Sequence, residues 1–283
     1  MKKILVPTDF STCADNAVNV ALEVAQKVKA EIQFVHCLPV PTDWISLGSD
    51  QDNFYPEVNK RIKETGEELK ELCRKAQKRG VVATTYLGLN DGTKEISDYV
   101  EKTHVDLIVM GSKGARGWKE MVLGSNAQRI IRSSSAPVMI VKPATKHLNA
   151  VRMVIVSDFL GAMSSDLEDT GLASFMKLAR IATDLSIPLH FLYINTPEHF
   201  ISTRVMMNRM KNYEEESGVT VVSKQIVDAG SLEKGLEDFL AGDTDSIIAM
   251  MTHGTQGLLR VLSGSTVEMV ANHTESPFLS VKL

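Results

Sequence analysis

The residues best placed to do chemistry are Gly111, Gly114, Gly124 and Ser125, in the stretch GSKGARGWKEMVLGS. They follow DLIVM, Asp106–Met110, which reads as a buried strand, and they run into NAQRIIRSSS, which reads as a helix. Gly111 and Gly114 allow backbone N–H groups to approach an anion with no Cβ in the way. Gly124 and Ser125 open the next helix, whose free N–H groups and positive dipole end favour negative charge. Lys113, Arg116 and Lys119 add cations between them. The spacing G-x2-G-x9-G-S after a strand points to phosphate binding, whereas glycines alone would make only turns. A second candidate is Asp9, at the end of the strand KILVP in VPTDFS. A carboxylate there can accept hydrogen bonds from an amino group or a ribose hydroxyl. The competing role is capping of the helix that follows, which Ser11 or Thr12 could also fill.

The elements that must position these residues occur twice. The segment Gly111–Lys142 aligns without a gap onto Met251–Lys282, with Gly114, Gly117, Gly124, Ser125 and Pro137 recurring as Gly254, Gly257, Gly264, Ser265 and Pro277. KILVPTDF matches MVIVSDF, which sets Asp9 against Asp158, and EIQFVHC matches PLHFLYI. The connector TKHLNA predicts a boundary near His147–Ala150, giving domains at 1–146 and 150–283. Each copy alternates short aliphatic strands with helical 3.6-residue spacing, such as Ala17, Val20, Ala21, Val24 and Val28. That alternation predicts two tandem doubly wound α/β domains, each a five-stranded parallel sheet with helices on both faces. Ligands on such sheets bind at the carboxyl ends of the strands, where strand order reverses.

Residues 40–56 read as a long loop, a lid or a binding loop, with Trp44, Phe54 and Tyr55 either covering a ligand or anchoring the loop. The Met-rich Ser202–Glu216 reads as a packing helix rather than a cofactor box. His36 in IQFVHCL reads as a satisfied histidine at the edge of the core.

Composition excludes other classes. A net charge of −4 without a basic block gives no nucleic-acid footprint. No apolar run approaches the roughly 18 residues of a membrane span. The start, MKKILVPTDFS, is too short and broken an apolar run for a signal peptide. Three cysteines without metal spacing fit a reduced, cytoplasmic setting. No general base, Walker-type loop or metal constellation stands out, so binding is expected rather than catalysis, with slow hydrolysis of a bound phosphate compound left open.

Together VPTDFS, DLIVMGSKGARG, LGS and PVMIVK resemble the universal stress protein family, over nearly the whole chain as two tandem copies. The resemblance implies an adenine nucleotide, ATP with or without Mg²⁺. Pro7, Thr8 and Asp9 would lie at the adenosine end with Val35 or His36 nearby. Met110, Gly111, Lys113, Gly114, Gly124, Ser125 and Asn126 would lie along the ribose and phosphates. It also implies that PVMIVK and PFLSVK pair antiparallel within the chain as a pseudo-dimer, with a homodimer as a further level of assembly. A nucleotide-dependent switch or stress-response binding protein is the expected role. The alternatives are a nucleotide-free interaction module and, last, an enzyme acting on adenylates. The second copy departs from the pattern. Gly111 becomes Met251, and Lys113, Arg116 and Lys119 become His253, Gln256 and Leu259, so the first copy is expected to hold the ligand.

Overall fold

The computed structural model describes residues 1–89, 92–112, 125–159, 170–241, 243, 245–252 and 277–282. The first half runs β1 (Lys3–Pro7), α1 (Thr12–Val28), β2 (Glu31–Cys37), α2 (Gln51–Phe54), α3 (Pro56–Lys78), β3 (Ala83–Gly88), α4 (Gly92–Thr103), β4 (Leu107–Gly111), α5 (Ser125–Ser133) and β5 (Val138–Val141). The second half runs β6 (Arg152–Val156), α6 (Thr170–Asp184), β7 (Leu189–Asn195), α7 (Thr203–Ser217), β8 (Ser223–Asp228), α8 (Leu232–Leu240), β9 (Ser246–Thr252) and β10 (Phe278–Lys282).

The strands form one sheet in the order β3-β2-β1-β4-β5-β10-β9-β6-β7-β8. Pairing is parallel inside each half and antiparallel only between β5 and β10. At that junction Met139 pairs with Leu279. These two residues are counterparts in the gapless repeat alignment, so a pseudo-two-fold passes between them.

Strand alternation sends neighbouring side chains to opposite faces. Ile4 and Val6 join a core under α1, α3, α6 and α7, while Leu5 joins a core under α4, α5 and α8. Each core draws residues from both halves. The Met-rich helix α7 buries Met206, Met210 and Tyr213, so it packs as the sequence suggests.

The repeat shows in local geometry too. Phe10 and Phe159 both take left-handed backbone, at φ +59° and +50°. Lys29 and Ser186 do the same just beyond α1 and α6. Between the halves, Asn16 Nδ2 donates to the Pro143 carbonyl, and the Leu148 N–H donates to Glu23 Oε2 at 2.8 Å, so α1 holds the connector.

Two elements differ from the sequence reading. Residues 40–56 are not an open loop. They contain a 3-10 segment at Trp44–Asp50 followed by α2, because Asp43 and Pro41 carbonyls close successive turns. The run VTVVSKQIV, residues 219–227, reads as a single strand, but the outer strand β8 starts only at Ser223. An edge strand pairs on one side only, and Val222 there is exposed.

Candidate ligand site at the strand switch point

From β1 the chain moves to β2 and β3 on one side, then crosses back to β4 on the other. Strand order therefore reverses between β1 and β4, and in open α/β sheets the carboxyl ends at such a switch point are where a ligand crevice is expected.

The turn after β1 forms one wall. Pro7 and Thr8 are buried, and the Thr8 N–H donates to the Val35 carbonyl at 2.8 Å, tying β1 to β2 beyond the last ladder pair. Thr8 Oγ1 accepts from the Phe10 N–H at 3.0 Å, and Asp9 Oδ1 accepts from the Ser11 N–H at 3.1 Å. These two small turns hold Phe10 in left-handed backbone, which costs a non-glycine residue roughly 1–2 kcal/mol. The Phe10 ring lies 4.9 Å from that of His36, whose Nδ1 is 2.7 Å from the Thr8 carbonyl. His36 is thus satisfied locally, as expected. Ser11, not Asp9, caps α1, its hydroxyl accepting from the Ala14 N–H at 3.2 Å. Asp9 is released from capping and half-buried at the rim.

The end of β4 forms the other wall. Met110 is buried, and the Ser112 N–H continues the ladder to the Val141 carbonyl at 2.9 Å. Gly111 faces the first turn of α1. A Cβ on it would meet the Cys13 carbonyl carbon, carbonyl oxygen and Sγ, each at 3.0 Å. Cys13 is buried, its Sγ 3.6 Å from the Val141 carbonyl and 3.8 Å from Ser112 Oγ. The glycine thus has a packing reason that its sequence context did not show. Cys13 and Ser112 were both missed as site residues, and their only signal is position: first turn of the helix after β1, first residue after β4. Val35 is fully buried beneath the floor.

Lys113, Gly114 and Gly124 lie outside the described residues. Ser125 and Asn126 open α5, so that helix begins where the motif ends.

The matching place in the second half is built on the same turn but has different neighbours. Ser157 Oγ accepts from the Phe159 N–H at 3.1 Å, as Thr8 does for Phe10. Phe159, however, is 1% exposed, packed 4.5 Å from Phe191 and 5.6 Å from Tyr213. Arg209 of α7 donates to the Asp158 carbonyl at 3.3 Å. Tyr193 stands where the first half has His36 and donates to the His199 carbonyl at 2.6 Å. Burial, helped by the Asp158 charge and opposed by Arg209, raises the Tyr193 pKa, so the phenol stays a donor. Asn195 accepts from the Ile201 N–H and donates to Asp228, fastening the short loop after β7. Met251, the counterpart of Gly111, is buried in the core. Gly254, Gly264 and Ser265 lie outside the described residues.

Among the described residues no group of His, Cys, Asp or Glu is arranged to hold a metal, and no helix is long and apolar enough to cross a membrane.

The family model of universal stress proteins matches residues 1–142. The chain belongs to the universal stress protein family. Its relatives include a universal stress protein of Methanocaldococcus jannaschii, 32% identical over 147 residues, covering 52% of this chain and 85% of the relative. Another, from Bacillus subtilis, is 30% identical over 145 residues, covering 50% of this chain and 98% of the relative. A solved universal stress protein from Archaeoglobus fulgidus matches 99% of this chain and 98% of its own at a TM-score of 0.70 and 21% identity, a likeness of fold. For a universal stress protein, the two-copy arrangement puts two matching switch points on one sheet, and the neighbours of their turns differ.

Proposed function

We propose that the first half, residues 1–146, binds one adenine nucleotide, ATP with or without Mg²⁺, at the crevice between β1 and β4. The second half, residues 150–283, carries a weakened version of the site. The observation that carries this reading is the contrast between two matching turns. Phe10 beside Asp9 is only half-buried, whereas Phe159 beside Asp158 is 1% exposed and Arg209 donates to the Asp158 carbonyl.

In this reading Pro7, Thr8 and Asp9 line the adenosine end, with Val35 buried beneath them. Met110 and Gly111 lead into the phosphate loop, where Lys113, Gly114, Gly124, Ser125 and Asn126 meet the phosphates. The donors there are backbone N–H groups at a helix start, which suit an anion without any protein cage for a metal. The activity is binding that switches a stress-response interaction in the cytoplasm, not turnover. The antiparallel pairing of β5 with β10 already covers the edge that would otherwise invite a second chain. A homodimer, as expected from the family, would use other surfaces.

The test is stoichiometry. Nucleotide released from the purified protein by heat, or titrated into it by calorimetry, should amount to one per chain. Two equal sites per chain, or none, would sink the reading.

A further inference from the structure

Residues 38–55 spring from the carboxyl end of β2 beside the crevice and return to α3. The second half has only residues 196–202 at that place. Within the longer segment Trp44 is 8% exposed, yet it belongs to neither core. Its indole Nε1 is shielded from solvent and meets no hydrogen-bond partner among the described residues. The surrounding polar groups bond to one another instead. Gln51 Nε2 donates to the Trp44 carbonyl at 3.0 Å, and the Tyr55 hydroxyl donates to the Asp43 carboxylate at 3.0 and 3.1 Å. These bonds fix the Trp44 backbone and leave the ring nitrogen unused. Buried tryptophan N–H groups usually find an acceptor. Gly48 breaks the 3-10 segment at φ +52°, ψ −117°, a point about which the segment can turn.

We propose that Trp44 is a ligand-binding residue of the first half. Its indole N–H donates to a ring nitrogen of a purine base in the crevice as residues 38–55 shift over it about Gly48. The inference rests on the nucleotide reading above. An indole N–H is a donor only. It therefore matches a base nitrogen with a free lone pair and not an exocyclic amino group. The sequence alignment of the two halves puts no tryptophan in the short loop after β7, in keeping with the weakened site proposed there.

The chain has two tryptophans, Trp44 and Trp118. A Trp118→Phe protein leaves Trp44 as sole reporter and serves as the parent. ATP and inorganic tripolyphosphate are titrated separately. The expected results are a change in Trp44 emission with ATP, and a roughly tenfold loss of ATP affinity in Trp44→Phe made on that parent. Tripolyphosphate affinity should be the same in parent and variant. Emission that stays still while ATP binds overturns the inference. So does unchanged ATP affinity in the variant, or an equal loss for ATP and tripolyphosphate. Should Trp44→Phe fail to fold by circular dichroism, the emission titration of the parent decides. A parent that binds no ATP overturns the nucleotide reading itself, and this inference with it.

Discussion

Gly111 and Cys13 touch across the switch point so closely that a single added carbon on Gly111 would sit 3.0 Å from three atoms of Cys13. Two of those atoms are backbone, so the clash cannot be relieved by rotating a side chain. The first turn of α1 would have to move, and with it Ser11 and the turn that holds Asp9. Gly111→Ala should therefore cost roughly 1–3 kcal/mol of stability, the usual range for overpacking, read by denaturant unfolding. It should also weaken nucleotide binding. Wild-type values for both would mean that α1 does not press on β4 as described.

Asp9 and Ser11 should separate by function. Ser11→Ala removes the cap of α1 and should cost about 1 kcal/mol in the same unfolding measurement. Asp9→Asn keeps an oxygen to accept from the Ser11 N–H, so stability should hold. The lost charge should lower ATP affinity about tenfold or more by calorimetry. The reverse pattern, lost stability with intact affinity, would make Asp9 a structural residue.

Ser280 sits in β10 where the first half has Ile140, and it is 1% exposed. Its hydroxyl is buried with no hydrogen-bond partner among the described residues. An unmade buried hydrogen bond is a cost carried by the folded state. Ser280→Ala should raise stability by about 1 kcal/mol and leave nucleotide binding as it was. A destabilised Ser280→Ala protein would reveal a partner for that hydroxyl.

Acid should lower stability over two pH ranges. His190 is held below its ordinary value of 6.5 by burial and then by Arg152. Its neutral form suits the fold, so this contribution is complete above 6.5 and is lost as pH falls through the lower folded value. Burial pushes the Asp243 carboxyl up, but bonds from Ser246, Arg152 and the Asp245 N–H outweigh it and leave the carboxyl below 3.8. Asp106 is also burdened by burial and brought below 3.8 by the Lys2 and Lys3 N–H groups, the terminal amine and Arg180. Those contributions are present above 3.8 and disappear as pH falls through the folded values. In a series of unfolding curves, His190→Gln should flatten the decline below 6.5. Asp243→Asn should flatten the decline below 3.8. Either variant with a wild-type pH profile would dismiss its group.

Much of the fold was legible because strand and helix write different periods. Lys3–Pro7 and Leu107–Gly111 are short aliphatic runs, α1 carries alanines and valines on one face, and the repeat aligned β5 with β10 without a gap. Boundaries failed where pairing is one-sided, as at β8, and where turns bond to themselves, as around Trp44. Capping was left open between Asp9, Ser11 and Thr12, since all three residue types can accept the same N–H, and only backbone geometry selects Ser11.

The sequence by itself determined the two copies, the parallel sheets, the family and the place where the halves diverge, because these rest on residue type and order. The tertiary structure decided why they diverge. Gly111 answers to Cys13, nearly a hundred positions away in sequence, and the turn at Asp158 is held by Arg209 from α7 and neighboured by Tyr193 from β7. What surrounds a strand-end turn depends on which distant side chains the packed sheet brings to it, and local periodicity carries no record of that.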